Sequence, residues 1–591
     1  TLGNGCPISE FIVINNKTKL WKGNVDNNWY NANNWEPVGV PDANTCVFIY
    51  PGSPAINTSN INTTANDAYA KTVTVRPSGI LNIHPGNDLT VTDGVTVDAG
   101  GTFNIENSGS LIQVNNVANS GSISMKRNVM MRKLDYVYWS SPVANFNLSG
   151  VSATTYRYKW IPTIGTNING YGNWVGANEI MTAGKGYIVR GPNTFTTTLQ
   201  NHTANFVGTP NNGIINMPVS RGTYDGVDYS TGVSSTLATK DDDNWNLIGN
   251  PYPSAVNANL FLAANTNIAG FIKYWTHGTL PSAVTSDPFY NNYVQNYTVG
   301  DYVTYNATGA NPAIGNGNIA AGQGFFVLMN HSSAATTENV VFNNSMRRND
   351  YRNDIFFRNA NITNADNEEK HRIWLNLISP SATSSTTLIG YVSGASNEID
   401  RMYDAPALGV KTNFELYSLS NLDKLNIQGK ALPFNNEDQI SLGINISQSG
   451  IHTIGISTVD GLFENNTQNI YLEDKTLGIT HDLRSAPYSF TETTGRTENR
   501  FVLKFNNETL GNEDFTANAV TVYTNEFINI NATNQTIKSV KVYDLLGRVL
   551  GTFDNVNSDT FTSKNIAKTQ TALLVEVILD NGASKTYKVI F

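Results

Sequence analysis

Charge is what this chain has least of for its size. Of 591 residues only 14% are Asp, Glu, Lys or Arg, against about 25% in an ordinary soluble protein. The net charge of −9 is spread without a basic stripe, which argues against nucleic acid as a partner. No apolar run approaches the ~18 residues a membrane-spanning helix needs. The longest late candidate, "ALLVEVI" at 572–578, has strand length and is interrupted by Glu576. The seven histidines are scattered, with no HExxH and no paired spacing, so a zinc site has no anchor. GxSxG and CxxC are both missing, which removes the usual serine-nucleophile and thiol-redox signatures. Long runs of Ala, Leu, Glu and Lys at helical spacing are missing too, so a helical bundle is excluded.

Cysteine is almost absent: Cys6 and Cys46 are the only two. The Asn-, Thr-, Ser- and Gly-rich composition is that of extracellular β proteins, an oxidising setting. A Cys6–Cys46 disulfide is therefore expected, worth about 4 kcal/mol on a chain-entropy argument; two separate buried thiols are the other reading. The chain begins at Thr1 without Met. That is consistent with a removed signal peptide or with the C-terminal portion of a longer chain.

What is present reads as β structure throughout. At roughly 150 residues per domain, the length implies about four domains. Residues 1–127 form the first expected module. Its Trp21, Trp29 and Trp35 suit a sugar-stacking platform or, as expected here, a plug closing the end of a β domain. A repeat follows: Val73 and Val75 recur as Val95 and Val97, and Leu81 and Ile83 as Phe103 and Ile105, each 22 residues on. Leu89 and Val91 recur as Leu111 and, with a one-residue slip, Val114. Turn signals such as "PSG", "PGND" and "DAGG" separate the pairs. Three short strands per 22-residue rung predicts a short parallel β-helix.

Residues 128–345 contain an internal duplication. "YWSSPV" (138–143) is echoed by "NLIGNPYPS" (246–254), "YRYKW" (156–160) by "FIKYW" (271–275), and "IMTAGKGYIV" (180–189) by "IAAGQGFFVL" (319–328). The GxG in the last pair is expected to turn the chain into a buried strand. No helix pattern follows it, as a phosphate loop would require. Residues 346–507 show short alternating strands near every dozen residues, predicting a β-sandwich. A polar linker at 508–516 leads to the last module, 517–591. The acidic stretches "DDDNW" (241–245) and "EDK" (473–475) lack calcium-loop spacing and are expected to be solvated turns. No metal ligand set, cofactor site or catalytic constellation is nominated anywhere in the chain.

The last module carries the most specific signal. In "IKSVKVYDLLGRVL" (537–550), Val540 and Val542 alternate with Lys541 and Tyr543 as a half-buried strand. Asp544 and Gly547 bracket a turn, and Arg548 opens the return strand. With "VTVYTNEFINI" (520–530) and the closing "KTYKVIF" (585–591), these about 75 residues resemble the type A C-terminal sorting domain of Bacteroidetes type IX secretion substrates. The family's usual Asn-Pro near the first strand is replaced here by Thr524-Asn525-Glu526. Its usual Gly-x-Tyr before the penultimate strand is replaced by "TQTALLVEV". The resemblance implies an Ig-like β-sandwich and a sorting signal formed by Val540, Val542, Tyr543, Asp544, Gly547 and Arg548. Its implied partners are the type IX translocon, outer-membrane shuttle and sortase components, and a lipopolysaccharide anchor. The upstream text is similar to flavobacterial adhesin-like proteins, implying a non-enzymatic cell-surface protein exported across the outer membrane that contacts surface glycans or neighbours. The alternative is the carbohydrate-binding or spacer portion of a larger secreted enzyme, such as a glycoside hydrolase.

Overall fold

Because the apolar pairs recur every 22 residues, stacking one rung on the next buries them all along one axis. The computed structural model has this arrangement. It describes residues 17–51, 58–63, 67–164, 172–230, 237–278, 301–354, 368–407, 414–506, 520–533, 535–580 and 582–591. Val73 pairs with Val95, Leu81 with Phe103 and Leu89 with Leu111, all in parallel ladders. Each of these side chains is buried. Outside the core, Asn60, Asn82 and Asn104 form an amide ladder, with Asn82 Nδ2 donating to Asn60 Oδ1 and Asn104 Nδ2 to Asn82 Oδ1, both at 2.9 Å. The expected slip to Val114 does not occur. Val91 pairs with Gln113, and Val114 is exposed. Gln113 can be buried there because Asn119 exchanges two amide hydrogen bonds with it at 2.8 Å each. A polar side chain with its partners supplied thus takes the place of a hydrophobe. The three tryptophans close the other end as a plug: all are buried, with Trp21 and Trp29 each packed edge-on against Trp35.

The internal duplication is visible as topology. The first copy orders its strands Tyr136–Trp139, Tyr187–Arg190, Arg157–Ile161, Asn173–Gly176. The second orders them Trp245–Gly249, Gly324–Met329, Ile268–Trp275, Tyr302–Tyr305, with the short Ala310–Asn311 added. The copies exchange equivalent contacts. Trp160 Nε1 donates to the Trp245 carbonyl at 2.8 Å, and Trp275 Nε1 to the Tyr136 carbonyl at 3.0 Å. Trp139 bridges Gln323, and Lys185 bridges Ile248. Glycine is needed at the second position of each GxG because the other copy passes against it. A Cβ on Gly186 would lie 2.6 Å from the Ile248 carbonyl oxygen, and one on Gly324 2.8 Å from Tyr138 Cβ. The motif is a close-approach point between copies.

One core runs from Trp21 to Met346, so the solenoid and the duplicated region are packed as one body. Arg347 fastens them. Its buried guanidinium donates to Leu111 O, Ser254 Oγ, Asn344 Oδ1 and Asn212 Oδ1, and it stacks on Tyr252. The strands of 370–505 form one long ladder around a second core. Bulges at Trp374/Leu375 and Leu442/Ile444 let that single sheet coil. It grips one loop of the second copy by its carbonyls: Lys370 Nζ on Ala307, Arg372 Nη1 on Thr308 and Trp374 Nε1 on Ala310. The three upstream modules therefore belong to one compact unit, Thr1–Phe505, and the chain divides there, with Asn506–Phe591 as a second unit. The expected linker falls outside the described residues. The fold is all-β, and among the described residues there is one α-helix, the seven-residue Ala258–Ala264.

Candidate functional site

Among the described residues no cluster of His, Cys, Asp or Glu suits a metal ion. In each of the two acidic stretches one carboxylate is buried and hydrogen-bonded, not solvated as expected. Asp474 is fully buried and takes Arg500 Nε and Nη2 at 2.7–3.1 Å, with Tyr488 OH at 3.0 Å. These charged and hydroxyl donors hold the Asp474 carboxyl below its usual range against the opposing effect of burial. Asp242 accepts the Thr239 N–H and caps a short turn. Cys46 lies buried on strand Cys46–Ile49; its expected partner, Cys6, lies outside the described residues. The three tryptophan faces are packed against one another and leave no sugar platform.

The remaining candidate is the hairpin in the second unit, which is a sandwich of a three-stranded and a four-stranded sheet. Strand Ile537–Asp544 has its inner face buried through Val540 and Val542, which join the core of this unit. Tyr543 points outward and donates its hydroxyl to Glu576 Oε2 at 2.8 Å. The chain then turns within four residues, and Asp544 organises that turn. Its Oδ1 accepts the N–H groups of Leu546 and Arg548, both at 2.9 Å, and its Oδ2 accepts Arg548 Nε at 2.8 Å. Its backbone N–H reaches the Arg548 carbonyl, and its carbonyl takes the Gly547 N–H. These bonds to Arg548 and Leu546 keep the Asp544 carboxyl ionised to lower pH than usual. Gly547 adopts φ +81°, a left-handed conformation that costs a side-chain-bearing residue energy.

The six residues singled out in sequence therefore sit on one hairpin, with separate tasks. Val540 and Val542 anchor it, Asp544 and Gly547 shape it, and Tyr543 and Arg548 face solvent. Sequence reasoning passed over the two residues at the tip. Leu545 and Leu546 are 60% and 89% exposed. The signal was available: two leucines between a turn-forming Asp and Gly have no strand periodicity to bury them.

An all-β body joined to a small sandwich that carries an ordered, apolar-tipped hairpin is the class of molecule described. Residues 20–505 match the family model described as Domain of unknown function (DUF8693), and 510–591 match Domain of unknown function (DUF8694). The chain belongs to the DUF8693 family, and the two family models meet where the structure divides. No curated protein matches the sequence. Among solved structures, the 47-kilodalton lipoprotein Tp47 of Treponema pallidum is similar at 9% identity. That match covers 38% of this chain and 87% of Tp47, with a TM-score of 0.12.

Proposed function

We propose that this is a non-enzymatic, adhesin-like cell-surface protein exported by a type IX secretion system, with residues 517–591 acting as the sorting and anchoring signal. The observation that carries the reading is the separateness of the second unit combined with its ordered Tyr543–Arg548 turn. A signal read by export machinery must fold without help from its cargo and present a fixed shape. A unit with its own core and a turn organised by one carboxylate meets both needs. The partners are the translocon with its shuttle and sortase components, and lipopolysaccharide is the anchor. The upstream body, braced by buried cations, supplies a stiff spacer that contacts glycans or neighbouring copies. A Cys6–Cys46 disulfide belongs to this exported state. Intact-mass measurement after alkylation without reductant should find neither thiol modified.

The deciding experiment is transfer. Residues 506–591 are fused to an unrelated folded reporter in a bacterium with this export pathway. The reporter should reach the cell surface. If it stays periplasmic while an established sorting tail exports the same reporter, the second unit is not an address.

A further inference from the structure

Exposed aliphatic surface on the second unit extends beyond the turn. Tyr543 pairs with Val549 on one side and with Leu574 on the other, while Ala572 pairs with Ile590. Opposite residues in antiparallel strands share a face. Val549, Leu574 and Ile590 therefore line one end of the outer face of the four-stranded sheet, beside Leu545 and Leu546. Val549 and Ile590 are both well exposed, Ile590 at 72%. A contiguous apolar patch of this kind on a protein surface marks an interaction site.

We propose that this end of the second unit docks on an anionic phospholipid bilayer, with Leu545 and Leu546 entering the interfacial region. Three observations favour lipid over a protein partner. First, four of the five N–H groups from Asp544 to Arg548 are already satisfied internally. The N–H groups of Asp544, Leu546, Gly547 and Arg548 all have acceptors within the turn. Pairing of this kind lowers the cost of carrying a turn out of water into the less polar membrane interface. Second, the patch is aliphatic. Protein–protein anchor points are enriched in Trp, Tyr and Arg, with Leu under-represented, and Tyr543 is the one aromatic among these residues. Third, its charges suit a headgroup layer. Arg548 is neutralised by Asp544, and Lys541 lies opposite Glu576. The exposed Lys588 pairs with Leu574, so it stands in the apolar row at the height where anionic headgroups would lie. Asp544 then has a second task, keeping the turn's backbone dry-compatible while its own charge is cancelled by Arg548.

The test uses the full-length chain and flotation with two vesicle preparations, phosphatidylcholine alone and phosphatidylcholine with phosphatidylglycerol. The protein should float with both and more strongly with the anionic one. The Leu545→Ser/Leu546→Ser variant should partition at least about tenfold more weakly into both, since it removes two large apolar side chains. Lys588→Glu should lose only the gain that the anionic lipid provides. Both variants change exposed positions, so an unchanged melting temperature checks their folding. The proposal is overturned if the wild-type chain does not float, or if the double-serine variant floats equally well. Capture of a protein partner through the same leucines, without vesicle binding, also overturns it. It is independent of the address reading, because reporter export and vesicle flotation fail separately.

Discussion

Asp474 with Arg500 and Asp544 with Arg548 are the same ion pair in two regions of one chain. In the upstream body the Asp474 carboxylate is fully buried and Arg500 nearly so. The arginine also reaches Glu492 Oε2 at 2.9 Å and the Thr491 carbonyl at 3.1 Å, and it lies over Phe490 and Phe501. In the second unit the Arg548 side chain is 79% exposed and pairs with Asp544 inside its own turn. The paired groups are the same, so the difference lies in what surrounds them: further protein groups in one case and solvent in the other. Removing one partner of a buried pair strands an unpaired charge away from water, whereas an exposed pair is screened and its loss is filled by solvent. The upstream body uses charge to hold elements together. The second unit uses it to shape one turn.

Replacing Ile83 by Asp should have the largest effect on this contrast. It places an unpaired carboxylate inside the solenoid and should cost about 4 kcal/mol or more. Thermal unfolding should show the upstream transition move or vanish while that of the second unit stays. Joint loss of both would erase the distinction between the units. Next in size is Arg500→Met, which leaves the buried Asp474 without its cation, held only by neutral donors such as the Tyr488 hydroxyl, and should cost about 3 kcal/mol by denaturant titration. Acid sharpens the same point. The folded-state carboxyl of Asp474 titrates below its unfolded value, so its stabilisation is complete above the unfolded value, about pH 4, and is lost as pH falls toward the folded one. Asp474→Asn should flatten that acid limb.

Lys273 gives a smaller effect of opposite sign. Its amine is buried with no hydrogen-bond partner, close to the rings of Trp245 and Phe271. Burial lowers its pKa to about 7, with Glu415 as the opposing attraction. The unfolded chain therefore binds more protons between pH 7 and about pH 10.5, and stability should rise across that window. Lys273→Met should stabilise the protein at pH 7, on the order of 2 kcal/mol, and the gain should shrink as pH is raised toward 10. A gain independent of pH would mean that charge burial is not its source. Smallest of all, Arg548→Ala should leave the melting temperature of the full chain unchanged, because water replaces the guanidinium at Asp544.

How much of this was legible varied with the range of the contacts involved. The 22-residue recurrence specified parallel rungs because a repeated short pattern can bury itself only by stacking in register. The echo of GKG by GQG marked equivalent positions, and the alternation of Val540 to Tyr543 followed by Asp and Gly described a hairpin. All of these are patterns within short stretches, visible by comparing one stretch with its neighbours or with its own repeat. The sequence by itself therefore determined the all-β class, the rungs, the duplication and the terminal turn. Only the tertiary structure decided that the GxG glycines serve the opposite copy and that Gln113 takes the place expected for Val114. It also decided that Arg347, Arg372 and Lys370 bind carbonyls of distant segments, and that Leu545 and Leu546 stay in solvent. The glycine contacts and the cation–carbonyl bonds depend on partners tens to hundreds of residues away. A side chain's identity does not state whether water, a carbonyl or another charge will be beside it; the packing of remote elements does.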